Sequence, residues 1–211
     1  MAAKSNLRNM ALCLTAVCLV CSAILGCVYA VTYEPIAKAN ENILKAGIGA
    51  VLPEGVEISG EQTTEAGGQQ YVYYVASDSA GAPVAYAVKS STIGFGGTLS
   101  LMVGVLPDGT VYNTSVLAHS ETPGLGAKCT TDEKFMAQWR NLSPDKLLKV
   151  RKDGGDIDAI TASTITSRAY ALAVANAVEV AKALTDASYK PDTATGASVK
   201  PAENQGGQSN E

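Results

Sequence analysis

Between Asn9 and Tyr33 the chain carries no charged residue, and Met10 to Val31 is almost wholly apolar. About 20 such residues cross the hydrocarbon core of a bilayer as a helix. That stretch divides the 211 residues into a short stub, one membrane segment and one domain. Lys4 and Arg8 precede it, and Glu34 is the first charge beyond it. The asymmetry favours a cytoplasmic N-terminus and an extracytoplasmic C-terminal part, single-pass in the cytoplasmic membrane.

Two other readings of the segment stand beside an anchor. A cleaved signal peptide has an apolar core of about 7–15 residues, whereas this run continues through Val28, Tyr29 and Val31. Ile24-Leu-Gly-Cys27 loosely matches a lipoprotein signal. Leucine is unusual before the Gly-Cys pair, and the apolar run does not stop at Cys27. Cys13, Cys18, Cys21 and Cys27 lie within the segment as small hydrophobes, leaving Cys129 alone in the remainder. A lone cysteine makes no internal disulfide, and because the CxxC pair Cys18-Leu-Val-Cys21 lies inside the apolar segment, neither an iron–sulfur cluster nor a structural zinc site is expected. Beyond the anchor, 14 basic residues face 20 acidic ones, a net charge of −6, which disfavours nucleic acid as a partner.

The pattern after the anchor predicts an α+β domain. Glu34 to Ala50 has helical spacing and continues the first helix or forms a second, ended at Pro53-Glu-Gly55. Residues 60–70 are polar and glycine-rich, suited to an exposed loop. Strands are expected around Tyr71–Ala76, Val84–Val88, Leu99–Leu106 and Val111–Leu117, the last two joined by the turn Pro107-Asp-Gly109. Four strands with short connections imply an antiparallel sheet. Asp132–Trp139 and Ser143–Val150 read as short helices, and Lys152–Asp156 as a turn. Ser167–Leu184 is the clearest helix, with Tyr170, Val174, Ala177, Ala181 and Leu184 on one face. Pro191–Glu211 has the composition of a disordered tail. The expected organisation is a stub and anchor over 1–33, a helical linker over 34–55, the domain over 56–190 and the tail over 191–211.

Hydroxyl residues crowd the start of that last helix: Thr161, Ser163, Thr164, Thr166 and Ser167. Free N–H groups and the positive end of the helix dipole favour a phosphate there. Ordinary helix capping accounts for the same residues equally simply. His119-Ser-Glu121 invites a hydrolase reading, but triads assemble in space and no G-x-S-x-G elbow occurs. Gly94-Phe-Gly-Gly97 lacks the spacing of a Rossmann or phosphate-binding loop.

Three blocks in order nevertheless resemble the FMN-binding subunits of Rnf and sodium-pumping NADH:quinone reductase complexes. Thr161-Ala-Ser-Thr164 resembles that family's Ser/Thr-Gly-Ala-Thr motif, with alanine for the usual glycine and serine for the usual alanine. His119-Ser-Glu-Thr-Pro-Gly-Leu-Gly126 matches its HxETPGLG block. Gly94-Phe-Gly-Gly97 resembles its glycine-aromatic-glycine-glycine entry to a buried strand. The resemblance implies an antiparallel sheet flanked by helices, after a single transmembrane helix, and FMN attached to Thr164 through a phosphoester bond. A magnesium-dependent flavin transferase would install it.

The resemblance further implies that Thr161, Ala162, Ser163, Ile165 and Thr166 surround the phosphate, and that Asp158 assists the transferase. In the loop, Glu121, Thr122, Gly124, Leu125 and Gly126 would meet the flat ring. Glycine admits close backbone approach and leucine offers an apolar face. Lys128 would offset charge on the reduced ring, with His119 and Gly96 nearby. The bland alternatives are a Pro-Gly surface turn and a bend between strands. The function implied is electron transfer by the G component of an ion-translocating ferredoxin:NAD⁺ oxidoreductase, together with its other membrane subunits and not catalytic alone. The C component of the sodium-pumping quinone reductase, or a membrane-tethered FMN-binding regulatory domain, is the alternative.

Overall fold

The computed structural model describes residues 7–185. The N-terminal stub and Pro191–Glu211 lie outside them. A first compact unit ends at Lys45, and a second begins at Ala46.

Helix α1 runs from Leu7 to Val51 with Pro35 inside it. It is long and apolar enough to cross a membrane, with a mean hydropathy of 2.5 over its most apolar window and none of that window buried. Leucines and valines from Leu12 to Val31 are exposed, the side-chain pattern that suits a lipid surround. Beyond Tyr33 the composition becomes charged, and Glu34–Lys38 and Glu41–Lys45 form i,i+4 ion pairs of 2.7 and 2.6 Å. Pro35 lacks the N–H that would otherwise bond the preceding turn, and it stands where the apolar run gives way to this charged stretch.

The second unit is built on a six-stranded antiparallel sheet: β1 (Glu57–Ile58), β2 (Gln62–Ala66), β3 (Gln69–Ser77), β4 (Pro83–Ile93), β5 (Thr98–Val105) and β6 (Val111–His119). The order is β1-β3-β4-β5-β6, with β2 pairing on the same side of β3 as β1. Residues 60–70 are therefore not a loop: Gln62–Ala66 pairs with Gln69–Tyr73 around Gly67-Gly68. Both glycines have positive φ, 57° and 76°, which an L side chain disfavours and a tight hairpin requires.

One sheet face carries Tyr86, Val88, Leu99, Leu101, Val103 and Val105, all buried. Helix α3 (Thr164–Thr185) covers it with Tyr170, Val174, Ala177 and Ala181, each at most 1% exposed, and Leu184 packs at the margin. Burying this face supplies most of the hydrophobic driving force. Thr92 Oγ1 donates to Ala169 O across 2.9 Å, a buried bond that fixes β4 against the first turns of α3. On the other face, the last turn of α1 lies close enough that a Cβ on Gly104 would overlap the Val51 carbonyl.

Between β6 and α3 the chain forms a 3-10 turn at Gly126–Thr130 and helix α2 (Glu133–Ala137), whose N-cap Asp132 accepts from Lys134 N and Phe135 N. Ser143–Val150 is not helical. The chain here is instead bridged to neighbours: Leu142, just before it, pairs with Val111, and Val150 with Ile157. Leu147 N donates to Asp156 Oδ2 at 2.8 Å, so a second chain segment takes the bond that a helix would have used. In the core Trp139 stacks on Tyr170 with ring centroids 5.1 Å apart, and Phe135 meets Trp139 and Tyr170 edge-on at 5.9 and 5.0 Å.

Candidate functional site

Three segments distant in sequence meet at the start of α3. The hairpin joining β4 and β5 brings Gly94–Gly97, the chain leaving β6 brings Ser120–Gly126, and the third is Ala162–Thr166. Together they line a cavity of about 340 Å³, with walls from Phe95, Glu121, Thr122, Leu125, Gly126 and Ala162–Thr166. Small-molecule sites occupy roughly 300–1,000 Å³.

Glu121 joins the three. It is 6% exposed. Its Oε2 accepts from Thr166 Oγ1 at 2.8 Å, and its Oε1 accepts from Gly96 N at 3.3 Å. Glycine surrounds it by necessity. A Cβ on Gly94 would overlap Oε1, one on Gly126 would overlap Oε2, and one on Gly96 would strike the Ser120 carbonyl. The glycines of the first block thus admit the acid of the second. Glu121 N donates to His119 Nδ1 at 3.3 Å, so the histidine braces the loop from outside the cavity lining.

The wall at α3 is built differently. Ser163 O accepts from Ser167 N at 3.0 Å, the first bond of the helix, so Ser163 holds the N-cap position and Thr164 opens the helix. Ser167 Oγ donates to Ser163 O and accepts from Ile160 N, both at 2.9 Å, locking the entry. Just before, Ala162 has φ of +63°, a left-handed conformation costing an L residue about 1–2 kcal/mol. This turn brings Ser163 and Thr164 to the cavity. Ser163 is 7% exposed, and its hydroxyl has no hydrogen-bond partner.

Phe95, Leu125 and Ile165 stand at the cavity with 69%, 45% and 49% of their surface exposed. Phe95 is the lining residue that sequence reasoning does not single out, although it sits inside the first block. An aromatic held between glycines is the available signal. Other expected residues lie away from the lining. Thr161, Gly124 and Lys128 are exposed, and the Asp158 carboxylate pairs with Arg151 at 2.6 Å. Asp158 backbone groups are held by Gln138, whose Oε1 accepts from Asp158 N at 2.9 Å and whose Nε2 donates to Asp158 O at 3.0 Å. Arg168 donates twice to Asp153, at 2.6 and 2.7 Å, and holds that carboxyl below its usual range chiefly through these bonds. Both of these acids are thus paired with arginine. Beneath the loop, burial pushes the Cys129 thiol up to about 11, with a smaller contribution from Glu121.

An apolar-rimmed cavity ending at an uncapped helix start, with an unpartnered buried hydroxyl, suits a flat ring carrying a phosphate. Residues 94–179 match a family described as FMN-binding domain. The chain is 34% identical over 173 residues to the G component of the ion-translocating oxidoreductase complex of Methanosarcina acetivorans, covering 78% of this chain and 90% of the relative. It is 32% identical over 168 residues to the G component of the proton-translocating ferredoxin:NAD(+) oxidoreductase complex of Clostridium ljungdahlii, covering 79% and 86%. Among solved structures, the C component of the Na(+)-translocating NADH-quinone reductase of Parabacteroides distasonis superimposes with a TM-score of 0.52 at 19% identity, covering 74% of this chain and 98% of that one. At that identity the likeness is one of fold.

Proposed function

Because the chain belongs to the family of G components of ion-translocating oxidoreductase complexes, we propose that it is an electron-carrying subunit of an Rnf-type complex, with FMN joined covalently to Thr164. The carrying observation is the position of Thr164. It is the first residue of α3, lies in the cavity wall, and is flanked by first-turn N–H groups that no helical carbonyl can reach. FMN, when bound, supplies reversible electron transfer.

The chain's own residues have distinct tasks in this reading. The Thr164 hydroxyl would attack the flavin-side phosphorus of FAD, supplied by a magnesium-dependent flavin transferase. An Oγ–P bond forms, the pyrophosphate P–O bond breaks, AMP departs, and the hydroxyl proton passes to a base of the transferase. Threonine is a weak nucleophile by itself, and the carboxylate in the cavity wall, Glu121, is already engaged by Thr166. The helix N-terminus offsets the phosphate charge. Phe95, Leu125 and Ile165, exposed around the cavity, gain cover from an apolar ring. Glu121 and Gly126 fix the loop that would run along it. In this assembly α1 anchors the chain in the membrane, N-terminus inside, with the flavin domain on the extracytoplasmic side among the complex's other membrane subunits.

The test is expression with an active flavin transferase, denaturation, and inspection of the gel band for flavin fluorescence with peptide mapping by mass. FMN less one water on the Thr164 peptide is expected, with no band for Thr164→Val. Flavin persisting on denatured Thr164→Val would move the site elsewhere.

A further inference from the structure

The cavity wall contains one buried hydroxyl for which the fold supplies no use. Ser163 is only 7% exposed, yet its Oγ has no partner. Its position makes this unusual. A serine at an N-cap ordinarily accepts from the backbone N–H two or three residues on, and this one does not. Leaving a buried hydroxyl unpaired is destabilising. The neighbouring hydroxyls are committed: Thr166 to Glu121, and Ser167 to Ser163 O and Ile160 N. Thr161 is exposed and outside the lining.

Two groups are therefore left over at the same place, the Ser163 hydroxyl and the first-turn N–H groups that it fails to cap. Both are satisfied together by one tetrahedral anion. An oxyanion at the helix start takes the N–H groups, and the serine donates to another of its oxygens. We infer that Ser163 Oγ is a phosphate donor, binding an oxygen of the phosphoryl group carried by the adjacent Thr164 and so holding the phosphate before and after the covalent bond is made. The inference rests on the reading of Thr164 given above. It assigns the serine that departs from the family motif a role which an alanine there has no atom to perform.

The assignment separates a phosphorylated flavin from one without phosphate. In the full chain in detergent, with Thr164→Val preventing attachment, FMN and riboflavin binding are measured by quenching of flavin fluorescence. Adding Ser163→Ala is expected to weaken FMN about tenfold, the low end for a hydrogen bond to a charged group, and to leave riboflavin unchanged. The flavin-free Ser163→Ala chain is expected to melt no lower than its parent, because an unpaired buried hydroxyl has been removed. Equal losses for both flavins, or an unchanged FMN affinity, overturn the assignment. Should non-covalent binding be too weak to measure, the covalently loaded chain answers through its ³¹P resonance. A shift between wild type and Ser163→Ala is expected, and identical resonances overturn the role. If the wild type with an active transferase takes no flavin at Thr164, the underlying reading falls and this one with it. If it loads normally and only the serine effects are missing, this inference alone falls.

Discussion

Thr166 Oγ1 donates to Glu121 Oε2 across 2.8 Å in a buried bond between residues 45 positions apart. It ties the helix that presents Thr164 to the loop that forms the opposite wall. A hydrogen bond to a charged group contributes about 1.5–3 kcal/mol. Thr166→Val is therefore expected to lower stability by about 2 kcal/mol in chemical unfolding. In a double-mutant cycle with Glu121→Gln the two effects should not add. Additive losses would mean that the pair is not coupled.

The two glycines of Gly124-Leu-Gly126 are required for different reasons. Gly124 has φ of +77° and open space where a Cβ would lie, whereas Gly126 has ordinary φ and a Cβ there would meet Thr166 Oγ1 at 2.7 Å as well as the Glu121 carboxylate. Asparagine tolerates the left-handed region. Gly124→Asn is expected to retain near-normal melting and flavin loading, while Gly126→Ala loses about 2 kcal/mol or more and much of its loading. Thermal melts with in-gel flavin fluorescence distinguish the two.

Ala162 carries strain that glycine would not. Its φ of +63° costs about 1–2 kcal/mol, against about 0.4–1 kcal/mol for the greater freedom of glycine in the unfolded chain. Ala162→Gly should raise stability by about 1 kcal/mol, read as a higher melting temperature. A lower one would show that the alanine methyl makes contacts worth more than the strain.

Cys129 should be silent towards thiol reagents in the folded chain. It is fully buried, and its thiol is pushed up to about 11 by burial first and by Glu121 second. Alkylation at pH 8, followed by peptide mapping to separate it from the four cysteines of α1, is expected to leave Cys129 unmodified until denaturant is added. The raised value also sets a sign. Between the ordinary thiol range at about 8.5 and about 11, the folded state holds a proton that the unfolded state has released. This group's contribution to stability is complete below that window and is lost as pH rises through it. The buried Tyr170 hydroxyl, raised by desolvation, acts in the same direction at higher pH.

The elements legible in the sequence are those whose period matches their burial. Leu99, Leu101, Val103 and Val105 alternate inward on β5, and Tyr170, Val174, Ala177 and Ala181 repeat along α3. Gln62–Ala66 escapes because an edge strand with polar residues on both faces has no alternation to read. Its only cue is the Gly67-Gly68 turn. Ser143–Val150 misleads in the opposite way: a serine followed by leucines resembles a capped helix, but its backbone is bonded to Asp156 and Ile157, contacts that no local pattern encodes. At the site, the order of the three blocks is visible. The pairing of Glu121 with Thr166 is not, since it depends on which hydroxyl the helix entry turns inward. Asp158 is drawn in by the resemblance and Lys128 by nearness along the chain; the fold pairs the former with Arg151 and leaves the latter exposed.

The left-handed Ala162 bears on how such sites are found. What this chain places before the helix is a left-handed torsion angle, which glycine adopts freely and alanine only at a cost. A search string that insists on glycine would pass over this chain, although its backbone makes a turn that glycine makes easily. Describing the signature by the angle, with glycine favoured and alanine admitted at an energetic cost, would bring kindred chains into view without loosening the hydroxyl that follows.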